Sequence, residues 1–134
     1  MAFEWTESIA VGVPKIDDQH KELFRRTNDL LESCKTGTAK DETMKAIEFL
    51  SDYVKQHLAD EEELQKKHNY PGFEDHKIQH KIFLEKVDAI RNNLINDGAT
   101  LANIMNTTKL FVSWLTQHIK NDDKQLGQFL RSVM

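Results

Sequence analysis

Histidine occupies positions in this chain where an amphipathic helix normally places a core leucine. Five of the six histidines lie on helical stripes whose other members are mainly leucine, isoleucine, valine and phenylalanine. Burying an imidazole or a carboxylate without a partner costs on the order of several kcal/mol. A metal centre inside a helical bundle removes this cost, because the cation supplies a partner for each ligand atom. The five inward histidines are His20, His57, His76, His80 and His118.

Apolar residues recur every three or four positions along most of the chain, the spacing that keeps one face of a helix inward. Residues 1–15 are the exception and predict an irregular N-terminal arm. Connections of a few residues favour antiparallel neighbours, so we expect an all-α, up-down-up-down four-helix bundle in one domain, residues 1–134. The predicted helices cover about residues 17–35, 41–67, 73–96 and 100–119, with a short C-terminal helix over 124–132.

The polar residues on these stripes are predicted to meet at one end of the core. His57 and Glu61 are four residues apart and share one helix face, and His76 and His80 repeat this spacing. The other two inward histidines open the first stripe and close the fourth. In an antiparallel bundle, the start of the first helix lies near the end of the second, and the start of the third lies near the end of the fourth. These four ends can share one half of the bundle.

Five imidazoles with two or three carboxylates exceed the four ligands of a structural zinc site. Such a set suits two first-row transition-metal ions, whereas magnesium and calcium prefer oxygen ligands. Glu61 is one candidate carboxylate, and Asp122 or Asp123 is the other. Helix geometry alone favours Asp122, which lies four residues after His118.

Four motifs follow one another along the chain: IDDQHK, HLADEE with YP after it, HKIQH and WLTQHIKNDD. In this order and spacing they resemble the signature of the hemerythrin family, in particular its single-domain bacterial members. The opening EWTESIAVGVPKIDDQH is similar to that of bacterial members as well, so the resemblance covers essentially the whole chain. It implies a four-helix bundle that binds dioxygen reversibly at a non-haem centre of two iron ions.

The resemblance implies one saturated iron and one iron with an open position for dioxygen, joined by an oxo or hydroxo bridge and two carboxylates. The family spacing of five residues after His118 selects Asp123 over Asp122 and requires an irregular last turn. The implied ligands are His76, His80 and His118 for the saturated iron, His20 and His57 for the open iron, and Glu61 and Asp123 as bridges.

The resemblance also implies an apolar pocket beside the open iron. Its side chains would keep out water and protons and so slow oxidation of the iron. One departure from the family pattern is Gln65, which stands where methionine is common, and we expect it to affect packing rather than ligation. The implied pocket residues are Leu58, Trp114, Leu115 and Ile119.

Composition excludes several classes of partner. The formal net charge is −4 and no basic run occurs, so the sequence does not favour nucleic-acid binding. No apolar run approaches the roughly 20 residues that cross a bilayer. The N-terminus does not resemble a signal peptide, which predicts a cytoplasmic protein. No long exposed apolar strip is evident, which favours a monomer, and the sequence specifies no partner protein.

Other functions remain open from the residues alone. A di-iron oxidase of the ferritin-like type would use Glu-x-x-His pairs, and the sequence contains none. We therefore expect a binding protein rather than an enzyme, with low-level oxidase, peroxidase or nitric oxide chemistry as the alternative. A role in sensing oxygen, nitric oxide or iron, or in iron buffering, would suit the same site. A structural zinc bundle is disfavoured by the number of ligands.

Overall fold

The computed structural model describes residues 4–36, 40–98 and 100–134. These ranges contain no strand, and the all-α prediction is confirmed. A short 3-10 helix, Glu7–Ile9, precedes the bundle, and a π-helical turn, Ile119–Asp123, follows its last long helix. The α-helices are α1 (Pro14–Thr36), α2 (Lys40–Lys67), α3 (Phe73–Asp97), α4 (Leu101–His118) and α5 (Lys124–Val133).

Helices α1 to α4 form a closed four-helix bundle. Each helix packs against the preceding one, and α1 also packs against α4. The predicted bundle, with its N-terminal arm and short C-terminal helix, is therefore confirmed. The stripes meet in a core where side chains such as Leu30, Leu50 and Phe111 are at most 1% exposed. Complete burial of one such side chain contributes about 1.5–3 kcal/mol.

The N-terminal arm packs onto the bundle at two levels. Trp5 and Ile9 contact the main core, while Val11 and Val13 are buried in a second apolar cluster with residues of α5. Phe3, another apolar residue of the arm, lies outside the described residues. The arm is also tied to α1, because the Asp17 carboxylate accepts hydrogen bonds from the backbone N–H groups of residues 11 and 12 at 2.8 and 3.1 Å.

Helix α1 begins three residues before the predicted start, at Pro14. The first residue of a helix needs no N–H group for an intrahelical bond, so proline fits there.

Within the three described ranges, no helix has the length and apolar character that crossing a bilayer requires.

Gly127 allows the arm to lie directly on α5. A Cβ atom at this position would collide with the carbonyl oxygen and side chain of Val11. We expect Gly127→Ala to lower the free energy of unfolding by about 1–3 kcal/mol, the usual cost of overpacking. Urea denaturation followed by circular dichroism measures it. The exposed neighbour Gln128→Ala is the control, with a change within about 0.5 kcal/mol; equal effects of the two variants would contradict this account of the contact.

Candidate metal centre

All seven ligands implied by the sequence lie together at one end of the bundle core. No candidate ligand is more than 4% exposed. The same stripes that carry leucine and valine elsewhere carry histidine here, so the fold itself gathers these side chains. They are His20 on α1, His57 and Glu61 on α2, His76 and His80 on α3, His118 at the end of α4, and Asp123 at the end of the π-helical turn.

The ligand atoms form two groups, in each of which all atoms lie within 4.8 Å of one another. Glu61 directs Oε1 towards His80 Nε2 at 3.4 Å and Oε2 towards His57 Nε2 at 3.3 Å. One carboxylate therefore offers an oxygen to each group. The first group contains His76, His80 and His118, the second contains His20 and His57, and Glu61 and Asp123 belong to both.

Asp123 offers one oxygen to each group as well. Its Oδ1 lies 3.0 Å from His76 Nε2, and its Oδ2 lies 2.9 Å from His20 Nε2. The π-helical turn explains how it reaches this position: hydrogen bonds between residues five apart bring Asp123 onto the face of His118. The irregular last turn was expected from the family spacing, and regular helix geometry wrongly favoured Asp122 as the carboxylate in the cluster.

Asp122 instead contacts the outer side of the same histidine. Its carboxylate lies 3.1 Å from His118 Nδ1, and its side chain is 35% exposed. A partner at Nδ1 fixes the ring and leaves Nε2 free for a metal, an arrangement that recurs around histidine ligands. Asp122 therefore orients a candidate ligand while Asp123 lies in the cluster itself.

Three further histidines have partners at Nδ1, and each directs Nε2 into the cluster. Two of these partners are glutamines that sequence reasoning did not assign to the site. Gln65, expected to affect packing, contacts a candidate ligand directly. The contacts are His57 with Gln19 Oε1 at 2.7 Å, His76 with Gln65 Nε2 at 2.5 Å, and His80 with Glu62 Oε2 at 3.2 Å.

The donor set fits metal ions. Seven buried nitrogen and oxygen atoms of the candidate ligands make no well-directed hydrogen bond within the described residues. His118 Nε2 lies 3.0 Å from His76 Nε2 and 3.3 Å from His80 Nε2. Imidazole nitrogens bound about 2.1 Å from one metal are spaced by about 3 Å. The unpartnered atoms belong to His20, His57, Glu61 and Asp123.

The electrostatics of the cluster also favour a cation. Burial lowers the pKa of His20, but contacts with Asp123 and Glu61 outweigh it and raise the pKa to about 9. Burial likewise lowers the pKa of His118, but the two adjacent aspartates raise it to about 10. Burial works to raise the pKa values of Glu61 and Asp123, yet the facing imidazoles hold both well below their usual range. Positive charge is therefore stabilised at the centre of the cluster, where metal ions would replace the protons.

Four apolar residues belong to the main core or pack against it. Leu58, Leu115 and Ile119 are at most 1% exposed and belong to the main core. Trp114 is only partly buried, and its ring stacks on His118 with centroids 4.5 Å apart and on Phe83 at 4.0 Å. These are the four residues of the expected oxygen pocket, and Trp114 covers a histidine of the first group.

Comparison with known proteins places these features in one family. The model of the hemerythrin HHE cation-binding domain matches residues 11–130. A bacteriohemerythrin from Methylococcus capsulatus is 34% identical, and the match covers 94% of this chain and 95% of that protein. A myohemerythrin from Theromyzon tessulatum is 30% identical over 90% of this chain and 88% of its own length. A crystal structure of wild-type hemerythrin superposes with a TM-score of 0.88 at 30% identity, covering 97% of this chain and 98% of that one.

Matched variants of the adjacent aspartates test which one belongs to the cluster. Asp123→Asn should weaken zinc binding at both groups of candidate ligands, since an amide offers one oxygen and cannot serve both groups. Asp122→Asn should weaken zinc binding by about 10–100-fold at most, the usual effect of a residue that orients a ligand. Zinc titration against a competing chelator measures both variants. A larger loss in Asp122→Asn than in Asp123→Asn would contradict the assignment.

Proposed function

The chain belongs to the hemerythrin family, and on that premise we propose that it binds dioxygen reversibly at two non-haem iron ions for oxygen carriage, storage or local delivery. One observation supports this most strongly: Glu61 and Asp123 each present one oxygen to either group of histidines. Carboxylates so placed hold two cations side by side and offset their repulsion. A site for a single ion would need neither carboxylate to face both ways.

The unequal numbers of histidines in the two groups would give two bound iron ions different roles. At one iron, three imidazoles, one oxygen from each carboxylate and an oxo or hydroxo bridge would complete six positions. At the other iron, two imidazoles, the second oxygen of each carboxylate and the same bridge would fill five positions and leave one for dioxygen. The saturated iron would be held by His76, His80 and His118, and the open iron by His20 and His57.

The protein supplies a dry, rigid setting for the binding and release of dioxygen. Two iron ions held by these residues would supply the electrons for binding dioxygen. Leu58, Leu115 and Ile119 exclude water from the interior. Exclusion of water would slow both the release of bound oxygen as peroxide and the irreversible oxidation of the metal. Partners at Nδ1 of four histidines hold the rings in place.

Reversibility separates a carrier from an oxidase or peroxidase. The iron-loaded, reduced protein should develop a visible charge-transfer band when oxygen is admitted and lose it when oxygen is removed, over repeated cycles. Conversion in one cycle to a ferric form with release of peroxide would instead indicate oxidase chemistry. Metal analysis accompanies the spectra, and one zinc per chain with no iron uptake would contradict the proposal.

Removal of a histidine from the open iron should abolish oxygen binding without unfolding the bundle. His57→Ala deletes one of only two imidazoles in the second group, whereas the packed helices remain. The oxygen-dependent band measures binding, and far-ultraviolet circular dichroism reports the fold. His68→Ala is the matched control, because His68 belongs to neither group. Retention of reversible binding in His57→Ala would overturn the assignment of the open iron.

A cavity beside the site should hasten oxidation of the iron. Leu115→Ala is expected to raise the rate of conversion to the ferric form about tenfold, as a barrier lower by about 1.4 kcal/mol would. Leu94→Ala removes an equally buried leucine from the apolar part of the core and is the control. Both variants should lose about 2–5 kcal/mol of stability. Equal oxidation rates in the two variants would remove the gating role of Leu115.

We also propose that the chain acts as a single-domain monomer. Its exposed large apolar residues are distributed over several helices, which supports this state; they include Phe49, Ile78, Ile95 and Leu101. Light scattering should give the mass of one chain, 15.6 kDa. A cytoplasmic location stays a prediction from the sequence.

A further inference from the structure

Gln65 is a fully buried amide at the outer nitrogen of a candidate ligand. Its side chain lies on α2, one turn after Glu61, and its Nε2 is 2.5 Å from His76 Nδ1. Its Oε1 is also buried and has no hydrogen-bond partner in the part of the chain that the structure describes. A buried amide with one end satisfied and the other unsatisfied is costly, so the arrangement calls for a physical explanation.

The orientation of this amide matches a metal-free histidine. With Gln65 Nε2 donating, His76 Nδ1 is the acceptor and the ring proton resides on Nε2. That nitrogen lies 3.0 Å from Asp123 Oδ1 and 3.0 Å from His118 Nε2. Both ring nitrogens of His76 thus lie beside polar atoms, Gln65 Nε2 at Nδ1 and Asp123 Oδ1 at Nε2.

Metal binding requires the opposite tautomer. The lone pair of His76 Nε2 must face the metal, so the ring proton must move to Nδ1, where it needs an acceptor. Rotation of the Gln65 amide by half a turn replaces its NH2 group with Oε1 in the same place, because the two ends of an amide have nearly the same shape. A carboxylate could only accept at this position, and a thioether is a weak acceptor that cannot donate.

We propose that Gln65 is a positioning residue that holds His76 in either tautomer, donating to Nδ1 in the metal-free protein and accepting from Nδ1 in the metal-loaded protein. This inference rests on the proposed function, since it takes His76 as a metal ligand. The other two histidines of its group differ, because their Nδ1 atoms face the carboxylates of Glu62 and Asp122, which accept only. His76 is therefore the one ligand of the three with a partner suited to both states.

Zinc affinity tests the accepting role. Gln65→Met keeps a similar volume but removes the strong acceptor, and should weaken zinc binding about 10–100-fold in a chelator competition. Gln65→Glu restores an acceptor and should recover at least the wild-type affinity. Ser51→Ala is the control, a buried polar residue of α2 that bonds only to the Ile47 carbonyl. Its zinc affinity should not change.

Nitrogen-15 NMR of the His76 ring tests the switch in the unaltered protein. The proton should reside on Nε2 before zinc is added and on Nδ1 afterwards, whereas Gln65→Glu should hold it on Nδ1 in both states. A wild-type ring protonated on Nδ1 throughout, or unchanged zinc affinity in Gln65→Met, would overturn the inference while leaving a metal-binding wild type intact. If the wild-type protein bound no metal, the proposed function would fail instead.

Discussion

The need to neutralise a buried cluster of imidazoles and carboxylates governs this molecule. Five histidines and two acids occupy core positions where leucine would carry no free-energy penalty for burial. Within the bundle, their inward atoms have few well-directed hydrogen-bond partners. The apolar remainder of the core provides the stability that allows this cost. Two metal ions at the cluster would bind these buried polar atoms and remove the free-energy penalty of leaving them without partners. Metal binding would therefore stabilise the fold as well as serve the proposed function.

The bundle controls this site from outside as well as inside. Partners at Nδ1 on four histidines decide which nitrogen faces inward. Three of these partners lie on a helix adjacent to the one that carries the ring, and Asp122 lies in the turn that follows His118. One of these contacts extends further, because Gln19 also donates to the Asp60 carboxylate at 2.7 Å. Asp60 and Glu62 on α2, which lie outside the cluster, thus help to orient side chains of the candidate metal centre.

Periodicity in the sequence was sufficient to predict the helices and the convergence of their polar positions, because a spacing of three and four residues places side chains on one face of a helix. It could not place Asp123, since a π-helical turn breaks that spacing and only the family pattern indicated it. It also missed the contact of Gln19 with His57, which joins residues 38 apart and depends on how α1 and α2 are rotated against each other. Local pattern encodes each helix, whereas such contacts depend on packing between helices.

Anomalous diffraction at the iron absorption edge, from crystals of the iron-loaded protein, tests the central claim most directly. The account predicts two peaks in the core, one among the three histidines of the first group and one beside the two histidines of the second, with Glu61 and Asp123 between them. A single peak, or histidines without iron after iron has been supplied to a folded protein, would contradict it.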